Sequence, residues 1–318
     1  MKKILIVGAG AMGAAFSIPL LDNGHSVTLT EPYNFKLLQK LNSKKKIHPS
    51  LNINLPQKLK INKFSSDILN QKWDLIVIAV SSIGIDLIGK NLSKIKNKSP
   101  ILVLTKGLKL DGRNLISMSS LLKKYNKNLN ISVLKGPCLA KELAKKVKSF
   151  TVVANKNINT AKKIGKLIST NYYQTEFSRD VNGVEFLSAI KNIYSMIIGA
   201  GQWHNTSSAL FRKSIDEMKY LANYFKGKKE TVYGLAGLGD LYVSAMGGRN
   251  SKMGEYLGKG YTFTRAKKKF MKNDTVEGAD LAIEIAPFVF KKINKRKVPL
   301  MISLLEAIVK NKKLKIKY

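Results

Sequence analysis

Up to about residue 154 the chain is a succession of short apolar runs, KILIVGA, SVTLT, LIVIAV, ILVLT, ISVLK and FTVVA, with segments between most of them whose apolar positions suit helices. Unbroken apolar runs are what strands buried on both faces require, and helical spacers between them predict a parallel sheet built by crossovers. TNYYQTEF at 170–177 predicts one more strand at an edge. From about residue 181 the period changes, and VEFLSAIKNIYSMIIGAG, SALFRKSIDEMKYLANYF, EGADLAIEIAPFVF and PLMISLLEAIVK all carry apolar residues at three-and-four spacing. The expectation is an α/β chain with a doubly wound parallel sheet over 1–178 and an all-helical domain over 179–318, the boundary resting on the change of period alone. No internal repeat or low-complexity linker is visible. KKKIHPSLNINLP at 44–56 reads as a loop over the first domain with His48 in a surface role, and KNKKLKIKY at the end reads as a solvated basic tail.

Composition narrows the class. The 318 residues are enough for two domains with cores of their own, and 44% apolar content is ordinary for a soluble globular protein. The formal net charge of +36 raises nucleic acid as a partner. Only Arg113, Arg179, Arg212, Arg249, Arg265 and Arg296 are arginines, so nearly all of that charge is lysine spread along the chain, whereas base and phosphate recognition leans on the guanidinium fork. No specific nucleic-acid partner is expected, although such a surface attracts anions in general. Cys138 is the single cysteine, which excludes an intramolecular disulfide and a thiolate zinc cluster and suits a reducing cytoplasm. No apolar run approaches the roughly 18–20 residues of a membrane span. The basic and apolar start, MKKILIVGAGAMG, has its glycines where a strand would turn rather than the design of a signal peptide.

Those glycines are the first candidate site. A strand, then Gly8, Gly10 and Gly13, then a helix through about residue 22, is the dinucleotide fingerprint in its required context and predicts a Rossmann domain. Gly8 allows the tight turn, Gly10 leaves room for a pyrophosphate to meet backbone N–H groups at the helix start, and Gly13 lets helix and strand pack closely. The second strand ends at Glu31, eighteen residues beyond Gly13, where a carboxylate can accept hydrogen bonds from ribose hydroxyls and repel a 2′-phosphate. The cofactor expected is NAD or NADP, with Glu31 leaning towards NAD and Lys36 near enough to help a phosphate.

The second candidate site is GLAGLGDLYVSAMGGRN at 234–250, which sets Asp240, Arg249 and Asn250 in a frame of glycines. Arg249 offers a bidentate fork for a phosphate, with Asn250 and the N–H groups of glycines such as Gly248 beside it. In VEFLSAIKN, Lys191 shares a helix face with Val184, Ser188 and Ser195 and is the candidate proton donor and acceptor for a secondary alcohol, with Asn192 next to it to orient a substrate. An ammonium working near neutral pH needs burial or a second cation to loosen its proton. Lys106 follows the run ILVLT, at the carboxyl edge of the sheet where ligands bind, and could be that cation. Asp240 would hold Lys191 by an ion pair.

Taken in order, GAGAMG, TKGL at 105–108, GPCLAKELA at 136–144, VEFLSAIKN and the 234–250 segment resemble the NAD(P)-dependent sn-glycerol-3-phosphate dehydrogenases over nearly the whole chain. The resemblance implies reduction of dihydroxyacetone phosphate to sn-glycerol 3-phosphate for phospholipid synthesis, with Lys191, Lys106 and Asp240 catalytic and no metal. It implies contact of Lys106 with substrate and cofactor, and of Gly136, Cys138 and Ala140 with one or the other. It also implies cofactor contacts from Arg249 and from Glu277 in TVEG. Ala11 and Met12 stand where relatives carry Ser and an aromatic, yet their backbone donors serve equally. Cys138 stands where relatives carry a hydroxyl, and Arg212-Lys213 where they carry Thr-Arg. A homodimer is plausible from the apolar helices of the second domain. Two alternatives stay open: another dehydrogenase of the same plan, resembling ketopantoate reductases, and a non-catalytic basic protein that binds nucleotide or nucleic acid.

Overall fold

A computed structural model describes residues 1–94 and 98–317. The chain divides into two compact units, one made of Met1–Lys106 with Met118–Val181, the other of Gly107–Ser117 with Asn182–Tyr318.

The first unit holds β1 (Lys3–Val7), β2 (Ser26–Glu31), the short pair β3 (Ile47–His48) and β4 (Ile53–Asn54), β5 (Lys60–Lys63), β6 (Leu75–Ile78) and β7 (Ile101–Val103). The second unit contributes β8 (Leu108–Asp111) and β9 (Asn114–Ser117), after which β10 (Ile131–Lys135), β11 (Ser149–Ala154) and β12 (Tyr173–Ser178) return to the first. Eight strands form one sheet in the order β12-β11-β10-β7-β6-β1-β2-β5, parallel throughout except where β10 meets β11. Every residue of β6, β7 and β10 is buried, as strands covered on both faces must be. The strand order reverses between β1 and β6, which places a switch point above the carboxyl ends of those two strands. Ile4, Ile6, Leu29, Val77 and Leu102 from the central strands pack with Phe16 and Leu20 of the first helix, Ala11–Asp22.

In the second unit the helix Val181–Gly199 is apolar nearly all round and buried from Gly183 to Ile198, so it forms the centre on which the other helices pack. His204–Tyr224, Glu277–Lys292 and Pro299–Val309 are the remaining long helices that the periodicity predicts. Asp240–Ala245, Arg249–Gly258 and Phe263–Phe270 are additional short ones. The second unit is not wholly helical: β8 and β9 form a hairpin held by the Leu110 N–H on Glu284 (2.8 Å) and by the Ser117 hydroxyl on Glu185 (2.7 Å). The end of the chain differs from a solvated tail as well. Leu314 and Ile316 pack on the helical core and the Lys317 N–H donates to Ser303 Oγ at 3.0 Å, while Tyr318 lies outside the described residues. No described helix is long and apolar enough to cross a membrane.

Candidate active site

At the carboxyl end of β1, Gly8 has φ +109° and a Cβ there would lie 2.7 Å from the Ala79 carbonyl carbon. A Cβ on Gly13 would lie 1.9 Å from the Gly8 carbonyl oxygen, so strand and helix approach as only glycine permits. Gly10 is the N-cap of the first helix, no side chain caps it, and the space where its Cβ would stand is empty to 4 Å. The first-turn N–H groups, Ala11 and Met12 among them, have no acceptor within the helix and sit at its positive end. An open cradle with such donors fits the pyrophosphate of a dinucleotide.

Glu31 is placed differently from an acid waiting for ribose. It is 6% exposed, Oε2 accepts the Ala9 N–H at 2.8 Å, and Oε1 accepts the N–H groups of Tyr33 and Asn34 at 2.9 and 3.1 Å. His48, expected at the surface, is buried: its Nε2 lies 3.0 Å from the Ala9 carbonyl oxygen. The segment expected as a plain loop around it is instead the small β3–β4 hairpin, whose packing against the fingerprint removes the ring from solvent.

Further along the same sheet edge, Lys106 follows β7 and is half-buried. Just before it, the buried Lys135 Nζ donates to the carbonyls of Val103 (3.2 Å) and Thr105 (2.6 Å), and Thr105 Oγ1 donates to the Val80 carbonyl at 2.7 Å. Three strand ends are thereby fixed relative to one another. Gly136 takes φ +122° directly after β10, Cys138 is half-buried, and Ala140 opens the helix Ala140–Ala144.

In the second unit, sequence-distant groups converge on Lys191. Its Nζ is 2.9 Å from Asp240 Oδ1, both side chains being less than a tenth exposed, and it donates to Ser244 Oγ. Asp240 opens the helix Asp240–Ala245, so Ser244, one turn on, faces the same way. Asn192 is buried beside Lys191 and its Nδ2 is 3.4 Å from Glu277 Oε2, too long for a strong hydrogen bond. Arg249 starts the helix Arg249–Gly258 behind Gly248, which carries no capping side chain, and its Nη2 lies 3.8 Å from Glu277 Oε1. Both side chains are about half exposed, so this pair is loosely held and either partner can turn to a ligand. Asn250 is engaged through Oδ1, which accepts the Gly278 N–H at 2.9 Å at the start of the helix Glu277–Lys292.

Sequence reasoning missed Ser244, Lys135 and the ring of His48. Ser244 was within reach of it, being four residues from Asp240 in a segment that could be helical. Lys135 and His48 carried no signal, because the contacts that bury them, from Lys135 to the Val103 and Thr105 carbonyls and from His48 Nε2 to the Ala9 carbonyl, are with backbone atoms of remote segments.

A buried lysine held by a carboxylate and a hydroxyl can move a proton, and the uncapped, glycine-lined helix start can hold a dinucleotide. Together these define the class, a two-domain dehydrogenase that uses a nicotinamide coenzyme. Comparison with known proteins narrows the class. The model of the NAD-dependent glycerol-3-phosphate dehydrogenase N-terminus matches residues 3–161, and that of the C-terminus matches residues 180–316. The NADP(+)-dependent glycerol-3-phosphate dehydrogenase of Archaeoglobus fulgidus is 28% identical over 92% of this chain and 90% of its own length. The glycerol-3-phosphate dehydrogenase [NAD(P)+] of Fusobacterium nucleatum is 32% identical over 87% and 84%. In fold, the crystal structure of glycerol-3-phosphate dehydrogenase from Coxiella burnetii superposes with a TM-score of 0.85 at 24% identity, covering 98% of this chain and 96% of that one. The chain belongs to the NAD-dependent glycerol-3-phosphate dehydrogenase family.

Proposed function

We propose that the protein interconverts dihydroxyacetone phosphate and sn-glycerol 3-phosphate with NADH or NADPH. The observation that carries this reading beyond family membership is the buried Lys191–Asp240 pair with Ser244 on the same ammonium. When bound, the coenzyme supplies hydride to the carbonyl carbon. Lys191 gives its proton to the carbonyl oxygen as that oxygen gathers charge, and takes it back in the reverse direction. Asp240 keeps the ammonium in place and stabilises its charged form, while Ser244 fixes the direction of one N–H. Arg249, swinging from Glu277, grips the phosphate with the N–H groups at the Gly248 helix start, and Asn250 stands beside it. Asn192 orients the substrate hydroxyls. Lys106 adds a second cation for the substrate at the sheet edge. Gly8, Gly10, Ala11, Met12 and Gly13 hold the pyrophosphate, Gly136, Cys138 and Ala140 border the ligands, and Glu277 turns to the coenzyme once Arg249 leaves it.

The reading places the enzyme in the cytoplasm, as a homodimer supplying glycerol 3-phosphate for phospholipid synthesis. It is tested by following NADH and NADPH oxidation at 340 nm with dihydroxyacetone phosphate, using ketopantoate as the control substrate. Turnover that requires the phosphate supports it. Equal turnover of ketopantoate would transfer the chain to the reductases of that acid.

A further inference from the structure

Ala9 lies between the first two fingerprint glycines and is fully buried. Its backbone is gripped at both ends by side chains from remote parts of the first unit. The Ala9 N–H donates to Glu31 Oε2 at 2.8 Å, and the Ala9 carbonyl faces His48 Nε2 at 3.0 Å. The ring's tautomer follows from its other nitrogen. Nδ1 accepts the Leu51 N–H at 3.3 Å and so needs its lone pair, which leaves the proton on Nε2 to be donated to Ala9. Glu31 is anchored in turn by the Tyr33 and Asn34 N–H groups, and His48 by the β3–β4 hairpin.

Two things follow for a dinucleotide. The Ala9 N–H is directed at Glu31 and is not a pyrophosphate donor, so that task falls to the first-turn amides beyond Gly10. A carboxylate has about four lone-pair positions. Three of those on Glu31 are taken, so gripping two ribose hydroxyls at once would break a bond to backbone.

We infer that Glu31 and His48 are positioning residues for the coenzyme: they clamp the Ala9 backbone between them and so hold the Gly8–Gly13 loop in its binding form, with Glu31 acting through the loop rather than by discriminating the 2′ position. This rests on the reading that the fingerprint holds a dinucleotide. Preorganisation of this kind changes coenzyme affinity, leaves the second substrate alone, and affects both coenzymes equally.

The test uses the full-length protein and four forms, wild type, His48→Leu, His48→Gln and Glu31→Gln. Titration calorimetry gives Kd for NADH and NADPH, thermal melts report folding, and steady-state kinetics give kcat and KM for dihydroxyacetone phosphate. His48→Leu fills the space without a donor and weakens both coenzymes by about five- to tenfold, the equivalent of one hydrogen bond. His48→Gln, whose amide N–H reaches the same oxygen, restores affinity to within about twofold of wild type on the same scale. KM for dihydroxyacetone phosphate and kcat at saturating coenzyme stay unchanged in both. Glu31→Gln, which turns an amide N–H or a weaker acceptor towards Ala9, weakens the two coenzymes by the same factor. Unaltered binding by His48→Leu, no recovery with Gln, or loss of NADH affinity alone in Glu31→Gln would each overturn the clamp. Wild-type protein that bound neither coenzyme would instead overturn the dinucleotide reading, and the clamp with it.

Discussion

At the scale of single residues, the proposed chemistry rests on Lys191, and the roles of this lysine and its neighbours can be separated by experiment. Lys191→Ala should lower kcat by about 10²- to 10⁴-fold, the usual worth of a positioned acid–base group, while coenzyme Kd stays as in wild type. Comparable turnover from that variant would remove Lys191 from the mechanism. Ser244→Ala deletes one hydrogen bond to a charged group and should cost about tenfold or more in kcat/KM without abolishing turnover. A second buried acid lies away from this chemistry. Burial raises the Glu217 carboxyl from the ordinary 4.5 to about 7, against the opposing pull of the Leu300 and Met301 N–H groups and the Tyr194 hydroxyl. The folded form therefore holds this proton more tightly than the unfolded chain does. The resulting stability is fully present below the unfolded value near 4.5 and is lost as pH rises through about 7, by an amount on the order of 3 kcal/mol. Denaturant melts from pH 4 to 8 should show this fall in wild type and a flatter profile in Glu217→Gln. Identical profiles would show that the carboxyl does not govern it. Lys191, Asp240, Arg249 and the fingerprint glycines could be singled out from sequence because each sits in a local motif. The bond from the Ala9 N–H to Glu31 and the burial of His48 could not, since Ala9 is 22 and 39 residues away from them.

At the scale of elements, the strands that could be read in advance are the ones buried on both faces. LIVI and ILV leave no other place for their side chains than a covered sheet. β5, KINK, is an edge strand with only Ile61 turned partly inward, so its sequence carries no apolar run. β8 and β9 escaped for a related reason: LKLD and NLIS are four residues each, with a single buried residue apiece, Leu108 and Leu115, so neither carries an apolar run. The short helix Asp240–Ala245 is preceded by the π-helical turn Leu235–Gly239, in a segment whose five glycines in seventeen residues look like a flexible loop on composition alone. In the structure the glycines of this region bring backbones together. A Cβ on Gly254 would stand 2.0 Å from the Met196 carbonyl oxygen, because the helix that begins with Arg249 lies directly against the helix that carries Lys191. Gly254→Ala must push these helices apart, and overpacking of this kind typically costs about 1–3 kcal/mol. The expected outcome is a lowered melting temperature together with a raised KM for the phosphorylated substrate, as Arg249 shifts with its helix. An unchanged melting temperature would mean that the contact relaxes without strain.

At the scale of the molecule, the chain carries a formal net charge of +36, and both ligands of the proposed reaction are anions. Steering by such a field is screened over a Debye length of about 10 Å at 0.1 M salt. kcat/KM should therefore fall as potassium chloride is raised from 10 to 300 mM while kcat stays level, and a flat kcat/KM would confine the charge to solubility. The division of the chain into units was legible near residue 180, where the period changes, but the transfer of Gly107–Ser117 to the helical unit was not. That transfer makes the backbone pass from one unit to the other three times, at 106–107, 117–118 and 181–182. A fragment cut at residue 178 would carry the hairpin without Glu185 and Glu284, and its amides at 108–117 should exchange with deuterium as fast as those of an unfolded peptide. Inheritance meets the same obstacle as the biochemist's scissors. A gene rearrangement that swaps one contiguous stretch after residue 181 would leave Gly107–Ser117 behind, so the first unit would face its new companion with a piece of the old one still attached.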